Sequence, residues 1–197
     1  MKIIFRFFFI LSLFFVFPLS AVENAPQVDL KFNLLSFQQL CPQPLWKNVK
    51  VRWKGVKDLR PQPELASLDS DNSEKIYSSK PLNEVFDSSL KQLFQMCGMQ
   101  WAIEGQEPVW ELEGVIEKFE SGQKKGVFTS KTMAQSQIKI IAKSFNRGIE
   151  ARAGYEIEMK ASRFKSFKKI ESSLQELFEK TLQQILKSPD LRNIQSL

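Results

Sequence analysis

The chain has 197 residues, with 28 Lys and Arg against 22 Asp and Glu for a formal charge of +6, two cysteines and no histidine. Without histidine, Ser-His-Asp and Cys-His nucleophiles and imidazole metal sites are excluded, and two cysteines are too few for a thiolate cluster. No cofactor or metal is therefore expected, and the dispersed basic residues do not form the stripe of a nucleic-acid binder.

Residues 1–21, MKIIFRFFFILSLFFVFPLSA, read as an export signal peptide. Lys2 and Arg6 precede an apolar run over 7–17, Pro18 breaks it, and Ser20-Ala21 is a small-residue cleavage site. The run is far short of the ~20 apolar residues of a spanning helix. Export to the periplasm with cleavage near Ala21 is the expectation, and the remaining length suits one domain with its own core. An oxidising compartment favours a Cys41–Cys97 disulfide over two buried thiols, and without a CxxC pair its role is structural.

Residues 22–47 contain Pro and Gln without a sustained period and read as an extended N-terminal arm; 48–197 read as a single α+β domain. Over 48–57, Val49, Val51 and Trp53 alternate with Lys50, Arg52 and Lys54, the pattern of a half-buried strand, with Gly55 marking a bulge. Residues 58–80 have no period and form a long loop that Leu65, Leu68, Ile76 and Tyr77 could pin. Pro81 then opens a helix with Leu82, Val85, Phe86, Leu90, Leu93, Phe94 and Cys97 on one face and Gly98 as its stop.

Strand signals follow at 99–103 and 109–119, the latter with Trp110, Leu112 and Ile116 opposite Glu111, Glu113 and Glu117. Residues 121–126 (SGQKKG) read as a hairpin loop. Ile138, Ile140 and Ala142 mark the next strand, Asn146-Arg147-Gly148 a tight turn, and 149–160 the return strand. A last helix over 169–187 carries Ile170, Leu174, Leu177, Phe178, Leu182, Ile185 and Leu186 on one face and ends at Ser188-Pro189. The predicted fold is α+β: an antiparallel three- to five-stranded sheet with two helices packed on one face.

Four features could carry function. Glu111 and Glu113, two apart on a strand, share a face as a two-carboxylate hydrolase requires, but alternating charge on a solvated face is the commoner cause. Residues 160–169 (KASRFKSFKK) interleave five basic residues with Phe164 and Phe167, a composition suited to an anionic surface. Lys168 and Lys169 there sit at a helix start, where the macrodipole disfavours cations. Asp58-Leu59-Arg60-Pro61 suits a locked turn better than a recognition surface. Trp46, Trp53 and Trp101 are assigned to the partly buried core and to no ligand.

The segments VKDLRPQPELASL, SLKQLFQMCGMQW, VWELEGVIEKF, TMAQSQIKIIAKSFNRGIEARAGYEIEMKA and LQQILKSPDLRNI, in that order over roughly 48–194, resemble the YajG-like family of bacterial envelope lipoproteins. The resemblance implies a compact α+β envelope domain and no known reaction. Members of that family carry a lipidated Cys straight after the signal run, whereas here Val22 follows Ala21 and the first cysteine is Cys41. This chain is therefore expected to be soluble or held at the outer membrane by a partner.

The leading expectation is a non-enzymatic periplasmic accessory protein that binds another envelope component through the arm and the 58–80 loop. Its interaction residues would include Asp58 and Arg60. The alternative is a binder of anionic lipid or polyanion that uses Lys124, Lys125, Arg163, Lys165, Lys168 and Lys169.

Overall fold

The structure is a computed structural model that describes residues 25–41, 43–47, 49–68, 74–103, 110–125, 130–144, 148–159, 166–192 and 194, with backbone alone for 122–125, 130–132 and 149–159. In chain order the elements are β1 (Gln27–Val28), a 3-10 turn (Leu34–Leu40), β2 (Lys50–Asp58), β3 (Ala66–Ser67), β4 (Lys75–Ser78) and α1 (Leu82–Met96). They continue with β5 (Gln100–Trp101), β6 (Trp110–Lys125), β7 (Ser130–Lys143), β8 (Gly148–Met159), α2 (Phe167–Lys187) and α3 (Pro189–Arg192). The predicted export signal lies outside the described residues.

Both long helices form where the 3.6-residue period of apolar side chains places them, and all seven residues of each predicted apolar face are buried. Gly98 ends α1 at φ 99°, with its N–H on the Gln95 carbonyl and the Met99 N–H on the Phe94 carbonyl. Those two bonds are a Schellman stop, which a left-handed residue makes possible. A Cβ at Gly98 would lie 2.7 Å from Pro44 Cβ, so glycine also lets the arm pass close behind the helix end.

The helices lie on one face of a five-stranded sheet of order β5-β2-β6-β7-β8. Phe86 of α1 joins them, meeting Phe119 of β6 at 5.5 Å and Phe178 of α2 at 4.9 Å, both edge to face. Truncating such a side chain to Ala costs about 3–5 kcal/mol. The Ser136 and Thr181 hydroxyls hydrogen-bond between β7 and α2, which satisfies two polar groups inside the core.

The sheet is not purely antiparallel as expected. β2 runs parallel to both neighbours, with Val51 opposite Trp101 of β5 and Trp110 of β6, while β6, β7 and β8 form the antiparallel meander. Parallel pairing needs a crossover, and α1 supplies it between β2 and the strands that follow. Gly55, at φ 94°, is the extra residue of a bulge where the β2–β6 register shifts between Trp53 and Val56. The bulge brings Val56 onto Gly114, where a Cβ would approach Val56 Cγ2 to 2.9 Å.

A second, three-stranded sheet of order β1-β4-β3 was not expected. It is built from the segment read as an extended arm and from the 58–80 loop. β1 pairs parallel with β4, β3 pairs antiparallel with β4, and the Ser121 N–H donates to the Leu65 carbonyl at 2.6 Å to join this sheet to β6. Val28, Leu30, Phe37, Trp46, Leu65 and Ile76 are all buried, so both segments contribute to the core rather than projecting from it. The Lys31 backbone exchanges two hydrogen bonds with the Gln175 amide of α2, at 2.9 and 2.7 Å, which seats the arm on the helix.

The first hairpin is also longer than its residues suggested. Ser121 to Lys125 are strand, paired with Ala134 to Ser130, and the connection falls at 126–129, outside the described residues. Ser121 is buried, and its bond to Leu65 holds the strand in register past the point where local composition reads as a turn. The second turn, 145–147, also lies outside the described residues, but Lys143 pairs with Gly148 at its base.

Candidate functional site

No described element packs on the second face of the five-stranded sheet. Strand alternation places Arg52 and Lys54 of β2, Glu111, Glu113 and Val115 of β6, and Lys139, Ile141 and Lys143 of β7 there. The register sets Arg52 beside Glu111 and Glu111 beside Lys143, so positive side chains flank the carboxylates from both strands. Arg52 Nη1 and Lys54 Nζ each reach Glu111 Oε1 at 3.1 Å, and Lys57 pairs with Glu113. Lys54, Lys57, Glu111, Leu112, Glu113, Ile141 and Lys143 line a shallow depression of about 320 Å³.

These contacts bear on the two-carboxylate reading. The hydrogen bond from Lys54 holds the Glu111 carboxyl below its usual 4.5 against an opposing desolvation, and the charge of Lys54 and the contact with Arg52 add to the lowering. A glycosidase acid needs the opposite, a carboxyl kept protonated by an apolar surrounding. The pair is a charge-matched surface ladder instead. Among the described residues, no three Cys, Asp or Glu side chains converge as a metal site.

Arg60 is the most densely bonded side chain of the 58–68 segment. Its side chain is only 6% exposed, and the guanidinium grips Asp58 through Nε (2.9 Å to Oδ1) and Nη2 (2.8 Å to Oδ2). Nη1 donates to the carbonyls of Phe119 at 3.1 Å and Glu64 at 3.3 Å, and Nη2 also to Pro63 at 3.4 Å. A guanidinium has five N–H donors, and all five have acceptors here. The Arg60 N–H itself donates to Asp58 Oδ1 at 3.1 Å, which closes an Asx turn. Asp58 and Arg60 therefore lock the exit of β2 to the middle of β6.

Cys41 and Cys97 form a disulfide with their Cα atoms 5.4 Å apart, joining the end of the 3-10 turn to the end of α1. Both cysteines of the sequence are consumed by it. Lys124 and Lys125 are not in a turn but in β6, opposite Lys131 and Ser130. Lys168 and Lys169 are exposed in the first turn of α2, which starts two residues earlier than expected, whereas Arg163 and Lys165 lie outside the described residues.

The tryptophans are core or core-edge residues. Trp46 is fully buried and its Nε1 donates to the Leu191 carbonyl at 2.8 Å, while Trp53 is half-buried and donates to Asp87 Oδ1 at 2.6 Å. Sequence reasoning found Glu111 and Glu113 but missed the cations that neutralise them. The signal was present: the Arg52 and Lys54 alternation on one strand complements the Glu111 and Glu113 alternation on another.

No curated protein matches the chain. The fold is similar to that of protein XCC0632 from Xanthomonas campestris, at 11% identity and a TM-score of 0.59 over 87% of this chain and 98% of that one. A second solved structure, of an uncharacterized protein, gives a TM-score of 0.50 at 9% identity over 82% of this chain and 97% of that one. At such identities the likeness is one of fold. The family described as "Uncharacterized lipoprotein" matches residues 43–195, which span everything from the arm's last turn to α3, and the chain therefore belongs to that family.

Proposed function

We propose that this protein is a non-enzymatic accessory protein of the cell envelope that binds another envelope protein. The observation that carries the reading is the sheet face left uncovered by any described element, rigidly held from behind by two helices. Its carboxylates are engaged by cations, and the half-buried Ile141 lies among them beside Val115, which is itself buried. An apolar centre within a charged rim is the composition of a docking surface, and the lowered Glu111 carboxyl suits pairing rather than proton transfer. Membership of a lipoprotein family supports an exported, envelope-associated location, as does the N-terminal apolar run. Leu59, 65% exposed beside the Arg60 lock, extends the same surface.

In-cell photocrosslinking tests this. A photoreactive side chain at position 54, 141 or 143 should yield one dominant protein adduct, while the same group at position 91, on the solvent side of α1, should not. Equal adduct patterns from all four positions, or none from the sheet face, would remove the reading.

A further inference from the structure

Taking the docking role of the uncovered sheet face as given, we propose that its partner binds through an acidic segment, with carboxylates on Lys50, Arg52, Lys54 and Lys143 and apolar side chains over Ile141. Alternation along β2 puts Lys50, Arg52 and Lys54 on this face, all three exposed, while Val51 between them is buried. β6 sets Glu111 beside Arg52, and β7 sets Lys143 on the other side of Glu111. Four cations thus share with one carboxylate the end of the face where β2 starts and β7 finishes.

Glu111 does not serve them all. Its Oε1 accepts from Arg52 Nη1 and from Lys54 Nζ, each at 3.1 Å. That is the one bond of the Arg52 side chain among the described residues, although a guanidinium has five donors and this side chain is 48% exposed. Lys50 and Lys143 are both exposed and have no acceptor among the described residues. Gln100 of β5, opposite Lys50, carries no charge. Lys57 is matched by Glu113, and β8 brings one charge of each sign, with Glu150 in register with Ile141 and Arg152 with Lys139. The connections before β6 and after β7 add Glu104, Glu107 and Arg147 in sequence, which leaves the cations in the majority.

The mixture of signs selects the class of occupant. A uniform negative array, such as a headgroup layer or a polyanion, would press charge onto Glu111 and Glu113 as well as onto the cations. A protein segment can place carboxylates on Arg52, Lys54 and Lys143 and keep them away from Glu113. The unused donors of Arg52 suit a carboxylate in particular, because a guanidinium can take both of its oxygens. Ile141, half-buried, lines the 320 Å³ depression together with Lys54 and Lys143. Side chains of the same segment therefore find apolar surface next to the cations.

The test places a photoreactive side chain at position 141 of the full chain in cells and sequences the partner's crosslinked peptide by mass spectrometry. The peptide should carry Asp or Glu within about three residues of the adduct, the reach from position 141 to Lys143 along a strand. Lys50→Gln/Lys143→Gln should lower the adduct yield about fivefold. Glu111→Gln, which removes the competing carboxylate, should keep the yield or raise it. Lys168→Gln/Lys187→Gln, the same charge change on the helix side, should alter it less than about twofold. Circular dichroism of each purified variant checks that it is folded. A partner peptide without Asp or Glu there, a yield unchanged in Lys50→Gln/Lys143→Gln, an equal loss in the helix-side variant, or a fall with Glu111→Gln would each overturn the proposal and leave a protein docked on the face. Absence of any protein adduct at position 141 would instead remove the docking role itself, and the acidic segment with it.

Discussion

Replacing Arg60 with methionine keeps the length and the apolar stem of the side chain and removes five donors from a site that is 6% exposed. The Phe119 and Glu64 carbonyls, which accept at 3.1 and 3.3 Å, lose their partner, at about 1 kcal/mol each. Asp58, 26% exposed, loses a forked ion pair. Its partial exposure reduces that term to about 1–2 kcal/mol. The sum is about 3–4 kcal/mol, which at a urea m-value of about 2 kcal/mol/M moves the unfolding midpoint down by about 1.5–2 M. Arg60→Lys should recover less than half, because an ammonium cannot reach the carboxylate and both carbonyls together. Adding Asp58→Asn to the methionine variant should restore about 1 kcal/mol by removing the unpaired charge. A midpoint shift for Arg60→Met below about 0.5 M, or an Arg60→Lys variant as stable as the parent, would show that the guanidinium is not what locks this loop.

Reducing the Cys41–Cys97 bridge, which spans 56 residues, should cost about 4 kcal/mol on the chain-entropy estimate, so that Tm in reductant lies about 10 °C below Tm without it; an unchanged Tm would argue against the bridge. Gly98→Ala, at φ 99° with Pro44 Cβ 2.7 Å from the new methyl, should cost about 2–3 kcal/mol by calorimetry, whereas Gly148→Ala, where nothing lies within 4 Å, should cost under about 1 kcal/mol. Trp46→Phe keeps one aromatic ring but shrinks a fully buried side chain and orphans the Leu191 carbonyl, for an expected loss of about 2–4 kcal/mol in urea. For Glu64, partial burial raises the carboxyl, but the hydrogen bond from Lys75, a backbone hydrogen bond and the charges of Lys75 and Arg60 together leave a net lowering from 4.5. A lowered folded value means stability that is present above the unfolded value and lost as pH falls through the folded one. The stability gap between parent and Glu64→Gln should therefore be constant above about pH 6 and shrink below about pH 4; a gap that widens in acid would reverse the assignment.

Much of this fold was legible because burial writes a period into the sequence. The apolar faces of α1 and α2 could be read residue by residue, as could Gly98 as a stop and Gly55 as a bulge, because each follows from local geometry. The direction of β2 could not be read, since Val51 and Trp53 alternate with Arg52 and Lys54 in either orientation. Only the partner strand decides it. The hairpin was misplaced because Ser121-Gly-Gln-Lys-Lys has turn composition, while the bond that keeps it in the strand comes from Leu65, more than fifty residues away. The same non-locality hid the site. Glu111 and Glu113 were visible as a pair on one face, but Arg52, Lys54 and Lys57 join them only once β2 lies beside β6. The bonding of Arg60 to Asp58 was suggested by their spacing, and its bonds to Phe119 and Glu64 were not.

The parallel placement of β2 orders events in time. A chain that emerges N-terminus first presents β2 with neither neighbour available: β5 follows by about fifty residues and β6 by about sixty, so this strand waits, unpaired, while the intervening chain appears. What can form meanwhile is local. α1 can coil as soon as Leu82 to Met96 are out, and Cys97 arrives before any of β6, so the bridge to Cys41 can close while the sheet is still incomplete. That closure shortens the search by which β2 later meets its parallel partners. The disulfide then acts as a clamp on an unfinished molecule, and chaperoning or oxidation at that stage would decide the yield of the folded protein more than the stability of the end product does.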